Sequence, residues 1–370
     1  MEKAVLLVSV IIIIRILLKK IPVPSLIIFI LLGMCFGENG IFKISFDNYS
    51  FVNIICSVSL IFIMFYGGFG TNLKAAKPVV AQSVLLSTVG VAGTAGAVGL
   101  FSHFVLQLPW IESILIGSVI SSTDAASVFN ILRSRNLALK NNTDSLLEIE
   151  SGSNDPISYM LTTSLIAIML GQDISVPALL TQQILFGVLF GVLVAKLSIY
   201  LFKTSLFKSQ ESVTIFLFAV MLLSFSLPYT LNGNGYLSVY LCGIILGNST
   251  LIHKKYLVHF FDVSTDVAQV IIFFLLGLLV TPVDLPRVMI PSLMIMLFLT
   301  LVARPLVSSV LLAPFRASPR QIALVSWSGL RGVASIVFAI SVVLSGIEPS
   351  ILYSYSFNFY TGNSPSLGCK

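Results

Sequence analysis

The sequence predicts an all-α, polytopic membrane protein built from two oppositely oriented halves. Three observations carry that prediction. Only 10% of its 370 residues are charged while 56% are hydrophobic, and mean hydropathy is +1.01. Apolar runs recur from Val5 to Leu344. Two spans lying seven apart are interrupted by glycine, hydroxyl and charged residues. A soluble domain carries about a quarter charged residues, so neither a secreted domain nor a cytosolic enzyme fits. One signal peptide or anchor cannot account for apolar runs along the whole chain. The net charge of +6 is dispersed through short loops, which excludes the single basic patch of a nucleic-acid binder.

Spanning hydrocarbon takes about 20 apolar residues per helix. Twelve spans follow, over 4–18, 23–37, 51–69, 79–106, 110–132, 145–170, 177–202, 212–231, 235–248, 266–281, 288–313 and 320–344. Pro22, Pro24, Pro78, Pro109, Pro177 and Pro319 stand near their starts, where a missing N–H costs little. Loops after odd-numbered spans hold Lys19, Lys20, Lys74, Lys77, Arg133, Arg135, Lys140, Lys203, Lys208, Lys254, Lys255, Arg316 and Arg320; those after even-numbered spans hold only Lys43 and Arg287. The positive-inside rule then puts the odd loops in the cytoplasm and the amino terminus outside. Residues 345–370 are polar and aromatic, with no further span, so the carboxyl terminus is expected outside as well.

Five charged residues lie well inside spans: Asp124, Glu150, Asp155, Arg304 and Arg331. Each costs about 2.5–3.5 kcal/mol at mid-bilayer, so such residues mark bundle interiors and pathways. Three acids and two bases leave one negative charge, which suits a small cation. The fifth span changes at Ser121 from apolar to SSTDAAS; a broken helix whose freed carbonyls line a cavity explains Asp124, whereas a Ser/Thr helix interface explains only the hydroxyls. In the sixth span Glu150 and Asn154 are four apart, as are Ser151 and Asp155, which makes two adjacent stripes on one helix side. Pro156 leaves a carbonyl one turn earlier unpaired. Glu148 and Glu150 also read as a solvated helix start. The twelfth span contains SWSGLRGVAS, where Gly329 and Gly332 flank Arg331 and weaken the helix by about 1 kcal/mol each. Arg331 alternatively reads as a buried structural cation. Interrupted spans in corresponding positions of two halves point to a transporter site. Their odd offset makes the halves inverted: 1–170 is the first repeat, 177–202 the connector and 212–344 an incomplete second repeat whose thirteenth helix is missing.

The four cysteines and three histidines are too scattered for a metal cluster or disulfide framework. No phosphate loop or nucleophile elbow occurs. No cofactor and no resident metal are therefore expected, and the chain is not expected to be an enzyme.

The stretches STDAASVFNIL (122–132), LEIESGSNDP (147–156), YLCGIILGN (240–248), FFLLGLLVTPVDL (273–285), FLTLVARPL (298–306) and SWSGLRGVASIV (326–337) run in order along the chain. Together they resemble the monovalent cation:proton antiporter superfamily, in particular the bacterial potassium/proton antiporters of the NhaP type within the sodium/hydrogen exchanger family. The resemblance implies an inverted-repeat fold with crossed discontinuous helices over residues 1–344. It also implies a multi-pass protein of the cell membrane that dimerises and exchanges potassium, favoured over sodium, for protons. Asp155 is similar to the carboxylate that takes either the ion or a proton. Asn154 resembles its partner in the Asn-Asp pair of electroneutral exchangers, and Ser151 and the Thr123 backbone resemble further ion ligands. Glu150 and Arg304 resemble an interhelical salt bridge, and Asp124 and Arg331 the charges that neutralise half-helix dipoles at the two breaks.

Three features depart from that pattern. Tyr66 stands before Gly67-Gly68 where relatives often carry an acid, and Ser335 replaces a proline. Residues 345–370 form an atypical tail, as a frameshift or truncation would leave. The expected mechanism is competition of ion and proton for Asp155, with spans four to six and eleven to thirteen moving against the rest. The rivals are a monovalent cation channel, which lacks a repeated pore loop here, and a nonfunctional truncated antiporter.

Overall fold

The computed structural model describes residues 25–38, 40–43, 48–124, 139–172, 175–203, 209–280, 285–329 and 332–347. The expected first span, residues 125–132 of the fifth, Arg331 and the tail beyond 347 lie outside these residues. Every other expected span contains helix. They are α1 Ser25–Phe36, α2 Tyr49–Gly70, α3 Leu73–Leu106, α4 Trp110–Ile120, α5 Thr143–Met169, α6 Val176–Phe202, α7 Gln210–Tyr229, α8 Gly235–Gly247 and α9 Lys254–Leu279. The chain continues as α10 Leu285–Phe298, α11 Arg304–Leu312, α12 Pro319–Trp327 and α13 Val333–Leu344. Side chains fix several helix starts by accepting orphan amide hydrogens: Asn48 from Phe51, Asn72 from Lys74 and Ala75, Ser209 from Ser212, Asn234 from Leu237 and Ser318 from Gln321.

Among the described residues, six stretches are each long and apolar enough to cross a membrane, namely α2, α3, α6, α7, α9 and Met289–Phe315. By contrast α5 has 27 residues but is too polar to qualify, because ESGSND sits in it. Burial of that polar stretch against neighbouring helices keeps it out of contact with lipid.

Elements seven apart repeat one another. Single π turns interrupt α3 at Leu86–Gly90 and join α10 to α11 at Leu299–Ala303. The pairings α2 with α8 and α1 with α9 are among the tightest in the molecule, and each is the inverted counterpart of the other. Both depend on glycine for backbone contact. A Cβ on Gly243 would lie 2.6 Å from the Phe65 carbonyl oxygen, and one on Gly68 would overlap that of Tyr240. Across the counterpart interface, Cβ atoms on Gly33 and Gly277 would overlap the Phe274 and Ile30 carbonyl oxygens. In hydrocarbon, where water cannot drive helices together, such close packing is the main cohesive force.

Two bundles result. Helices α1, α2 and α6–α9 form one; α3–α5 and α10–α12 form the other; α13 packs against α2 and α5 between them. One large apolar core runs through both, and a smaller one of Val79, Leu86, Leu146, Leu147, Leu312 and Val325 lies within the second.

Two spans differ from the sequence reading. The tenth, expected at 266–281, begins at Lys254, about three turns earlier. Asp262 and Asp266 lowered its local hydropathy, yet on one helix face they interrupt nothing. The fourth begins at Leu73 rather than 79, started by the Asn72 cap.

Candidate cation-binding site

The site forms where two helices stop. α4 ends at Ile120, and Ser121–Asp124 continue without helical structure. α12 ends at Trp327, and Gly332 is extended (φ −131°, ψ −162°) before α13 begins. The two breaks touch. The Ser122 and Ser335 hydroxyls are 3.1 Å apart, and a Cβ on Gly332 would lie 2.8 Å from Asp124 Oδ1. Only glycine lets α13 approach so near, so Gly332 serves the crossing as much as the break. Ser335 replaces a proline expected from the family resemblance, and its hydroxyl is one of the two polar groups that meet there.

Against this crossing α5 presents one polar side. Asn154 Nδ2 donates to Thr123 Oγ1, and more distantly to Glu150 Oε1 at 3.4 Å. Thr123 Oγ1 donates to Ser151 Oγ at 3.3 Å, and Ser151 Oγ to Glu150 Oε2 at 3.4 Å. Glu150 Oε1 accepts from Arg304 Nη2 at 2.8 Å, and both side chains are buried (0% and 3% exposed). A bare charge here would cost several kcal/mol, so the pairing is what lets either residue stay. Arg304 opens α11 right after the second π turn and lies beside Gly329, whose Cβ would be 3.0 Å from Arg304 Nε. π turns commonly accompany functional sites; this one sets the register that aims Arg304 at α5.

Asp155 is 3% exposed, and its Oδ1 has no hydrogen-bond partner. Ser122 lies within hydrogen-bonding reach of the same carboxyl, with Asp124 and Glu150 as neighbouring carboxylates. The Asn154 carbonyl oxygen Oδ1 is likewise buried and unpartnered. The cluster therefore offers one carboxylate, an amide oxygen and several hydroxyls in a buried setting. Oxygen donors of this kind replace the hydration shell of an alkali cation. A carboxylate can also take a proton instead.

The structure brings Asp155, Asn154, Ser151, Thr123, Asp124, Glu150 and Arg304 into one neighbourhood; Arg331 falls outside the described residues. Three contributors were not singled out from sequence. Ser158 donates to the Ser118 carbonyl at 2.6 Å, tying α5 to the last turn of α4. Its signal was present, since it continues the Ser151–Asp155 stripe by one turn. Asn234 donates from Nδ2 to the Pro156 carbonyl at 2.8 Å while capping α8. Tyr240 lies against Gly152, where a Cβ would meet its ring at 2.6 Å. Both come from the other bundle, and nothing local marks them. Tyr66, standing where an acid is common, instead donates to Asp262 Oδ1 at 2.6 Å.

Comparison with known proteins identifies the family. The family described as "Sodium/hydrogen exchanger, transmembrane" matches residues 5–359. The K(+)/H(+) antiporter NhaP of Alkalimonas amylolytica is 34% identical over 338 residues, covering 90% of this chain and 59% of its own length. The Na(+)/H(+) antiporter 1 of Methanocaldococcus jannaschii is 26% identical, over 89% of this chain and 79% of its own. A solved structure of the sodium proton antiporter MjNhaP1 from that organism superposes with a TM-score of 0.82 at 24% identity, covering 94% and 87% of the two chains. The chain thus spans about three fifths of the length of the potassium-type relative, and the likeness to MjNhaP1 shows that the two chains share a fold. With the family matched over nearly its whole length, this chain belongs to the transmembrane sodium/hydrogen exchanger family.

Proposed function

We propose that this chain exchanges a monovalent cation for a proton across the cell membrane, with Asp155 accepting one or the other. The observation that carries the reading is a contrast between two buried carboxylates. Glu150 is committed to Arg304, whereas Asp155, at the crossing of the broken helices, keeps an oxygen without a hydrogen-bond partner. Ser151, Asn154 and the Thr123 backbone complete the ion's ligands. Asp124 and Arg331 balance the half-helix dipoles. Glu150 and Arg304 hold the site's shape. One titrating carboxylate beside a neutral Asn154 makes the exchange one-for-one and electroneutral.

Transport proceeds by movement of the α3–α5 and α10–α12 bundle against the other one. Residues 1–170 and 212–344 act as inverted repeats joined by the 177–202 connector. The basic odd loops face the cytoplasm and the amino terminus faces out. The protein works as a homodimer in the lipid bilayer. Potassium is favoured over sodium because the relatives of the higher identity are named for potassium; the M. jannaschii protein is named for sodium. No cofactor and no covalent chemistry are required.

The test is dye-monitored proton movement in vesicles on addition of potassium or sodium salts. Asp155→Asn should abolish exchange while membrane insertion is retained. Cation flux driven by a pH gradient in that variant overturns the role of Asp155. Flux without proton movement in the wild type points to a channel. Competition also sets a sign: as pH falls, protons displace the cation, so its apparent KM rises, by about tenfold per pH unit once protons saturate the site.

A further inference from the structure

Two side chains of α8 bracket Asp155 from the opposite bundle. The contacts show that α8 runs antiparallel to α5. Asn234 donates to the Pro156 carbonyl, just past Asp155. Tyr240, six residues later on α8, meets Gly152 and Ile149, which precede Asp155 on α5. The buried Tyr240 ring lies on the bare backbone of Gly152, where a Cβ would come within 2.6 Å of a ring carbon and 2.9 Å of the hydroxyl. Packing that close leaves no room for water. Between the two contacts Asp155 is only 3% exposed.

Glu148, Gly152 and Asp155 share one side of α5, spaced i, i+4 and i+7. Glu148, nearer the helix start, is half-buried, whereas Gly152 and Asp155 are buried. Tyr240 therefore covers the middle of the short line from the start of α5 to Asp155, about one turn from the carboxylate.

The tyrosine hydroxyl shows which bundle the ring belongs to. Its bond to α5, at the Ile149 carbonyl, is 3.5 Å long, at the limit of a hydrogen bond. Thr71, at the end of α2 in the same bundle as Tyr240, lies within hydrogen-bonding reach of that hydroxyl. Thr71 Oγ1 itself donates to the Gly67 carbonyl at 2.8 Å, so it meets Tyr240 as an acceptor. The ring is thus held by α2 and α8 and touches α5 mainly by packing. Gly152 carries no side chain, so α5 can slide out from under the ring without a steric barrier.

We infer that the Tyr240 ring, closed on Gly152, is the inner gate of the exchange site. It shuts Asp155 off from the face on which α5 begins, and that approach opens when α5 moves off the ring. Tyr240 is a positioning residue that touches no ion. Its use in exchange, and the naming of that face as cytoplasmic, rest on the proposed function; the seal itself does not.

The experiment reads access to the site rather than transport. The full chain carries replacements at Cys35, Cys56, Cys242 and Cys369, with Asp155→Cys as reporter. A membrane-impermeant cationic methanethiosulfonate is applied to one face of oriented vesicles at a time. Adding Tyr240→Ala should speed labelling from the cytoplasmic face about tenfold, as when the open fraction rises by that factor, with the outer-face rate unchanged. Tyr240→Phe keeps the ring and should label as slowly as the parent. Tyr240→Leu keeps apolar bulk should the alanine variant misfold, and it should still label faster at the cytoplasmic face. Equal rates with and without the ring, acceleration at both faces alike, or Tyr240→Phe as fast as Tyr240→Ala overturns the inference. Acceleration at the outer face alone keeps the gate and reverses the proposed orientation. Acceleration at the cytoplasmic face in a protein whose wild type exchanges nothing keeps the gate and removes only the proposed function.

Discussion

Glu150 and Arg304 show how one contact permits two otherwise forbidden residues. Each is buried in a span, 2.8 Å from the other, and neither has water to fall back on. Glu150→Ala leaves the guanidinium uncompensated and should destabilise the protein by ~3–5 kcal/mol, read as a lowered melting temperature in detergent. Removing both charges together should cost less than removing Glu150 alone. A double variant no more stable than the single one would falsify the pairing as the source of the effect. Ser158 is a quieter case. Its bond to the Ser118 carbonyl ties α5 to a helix that stops in mid-membrane; the Ser121 hydroxyl also donates to that carbonyl, at 2.8 Å, so Ser158→Ala should cost only the lost bond, about 0.5–1.5 kcal/mol, read as a small drop in melting temperature.

At the element scale the two broken helices matter most, and their crossing depends on Gly332. Gly332→Ala would push a methyl onto the Asp124 carboxyl. Overpacking of this kind costs about 1–3 kcal/mol, too little to unfold the protein. The expected outcome is a folded, inserted variant with exchange reduced far more than its melting temperature. Normal exchange by Gly332→Ala would show that the crossing tolerates displacement. Gly33 and Gly37, in and just after α1, meet the α9 backbone as Gly243 and Gly247 of α8 meet that of α2. The breaks in the fifth and twelfth spans were legible in the sequence. The early start of α9 was not, because two aspartates look like a loop to any hydropathy window, and only their common face shows that they suit a helix.

For the molecule as a whole, few polar links join the two bundles among the described residues. Asn234 bonds the Pro156 carbonyl at 2.8 Å, while Gln183 to Thr163 and Tyr240 to Ile149 are longer, at 3.3 and 3.5 Å. An interface that is mostly apolar with sparse hydrogen bonds suits rigid-body displacement, since sliding exposes few unpaired polar groups. Cysteines placed at Thr163 and Gln183, with the native Cys35, Cys56, Cys242 and Cys369 replaced, should allow a cross-link that arrests exchange and is reversed by reductant. Undiminished exchange in the cross-linked protein would mean that these two helices never part.

Composition and periodicity alone determined that the chain crosses the membrane repeatedly, where most of the described spans lie, and that the fifth and twelfth are broken. Each follows from the cost of placing polar groups in hydrocarbon, which is paid locally and is therefore written locally. The family motifs added the grouping of Asp155, Asn154, Ser151 and Thr123. Only the tertiary structure decided that Glu150 is engaged while Asp155 keeps an unpartnered oxygen, that Ser335 meets Ser122, and that Asn234 reaches α5. Those facts depend on distances between helices far apart in the chain, and hydrophobic pattern along one helix carries no information about which side chain of another it will face.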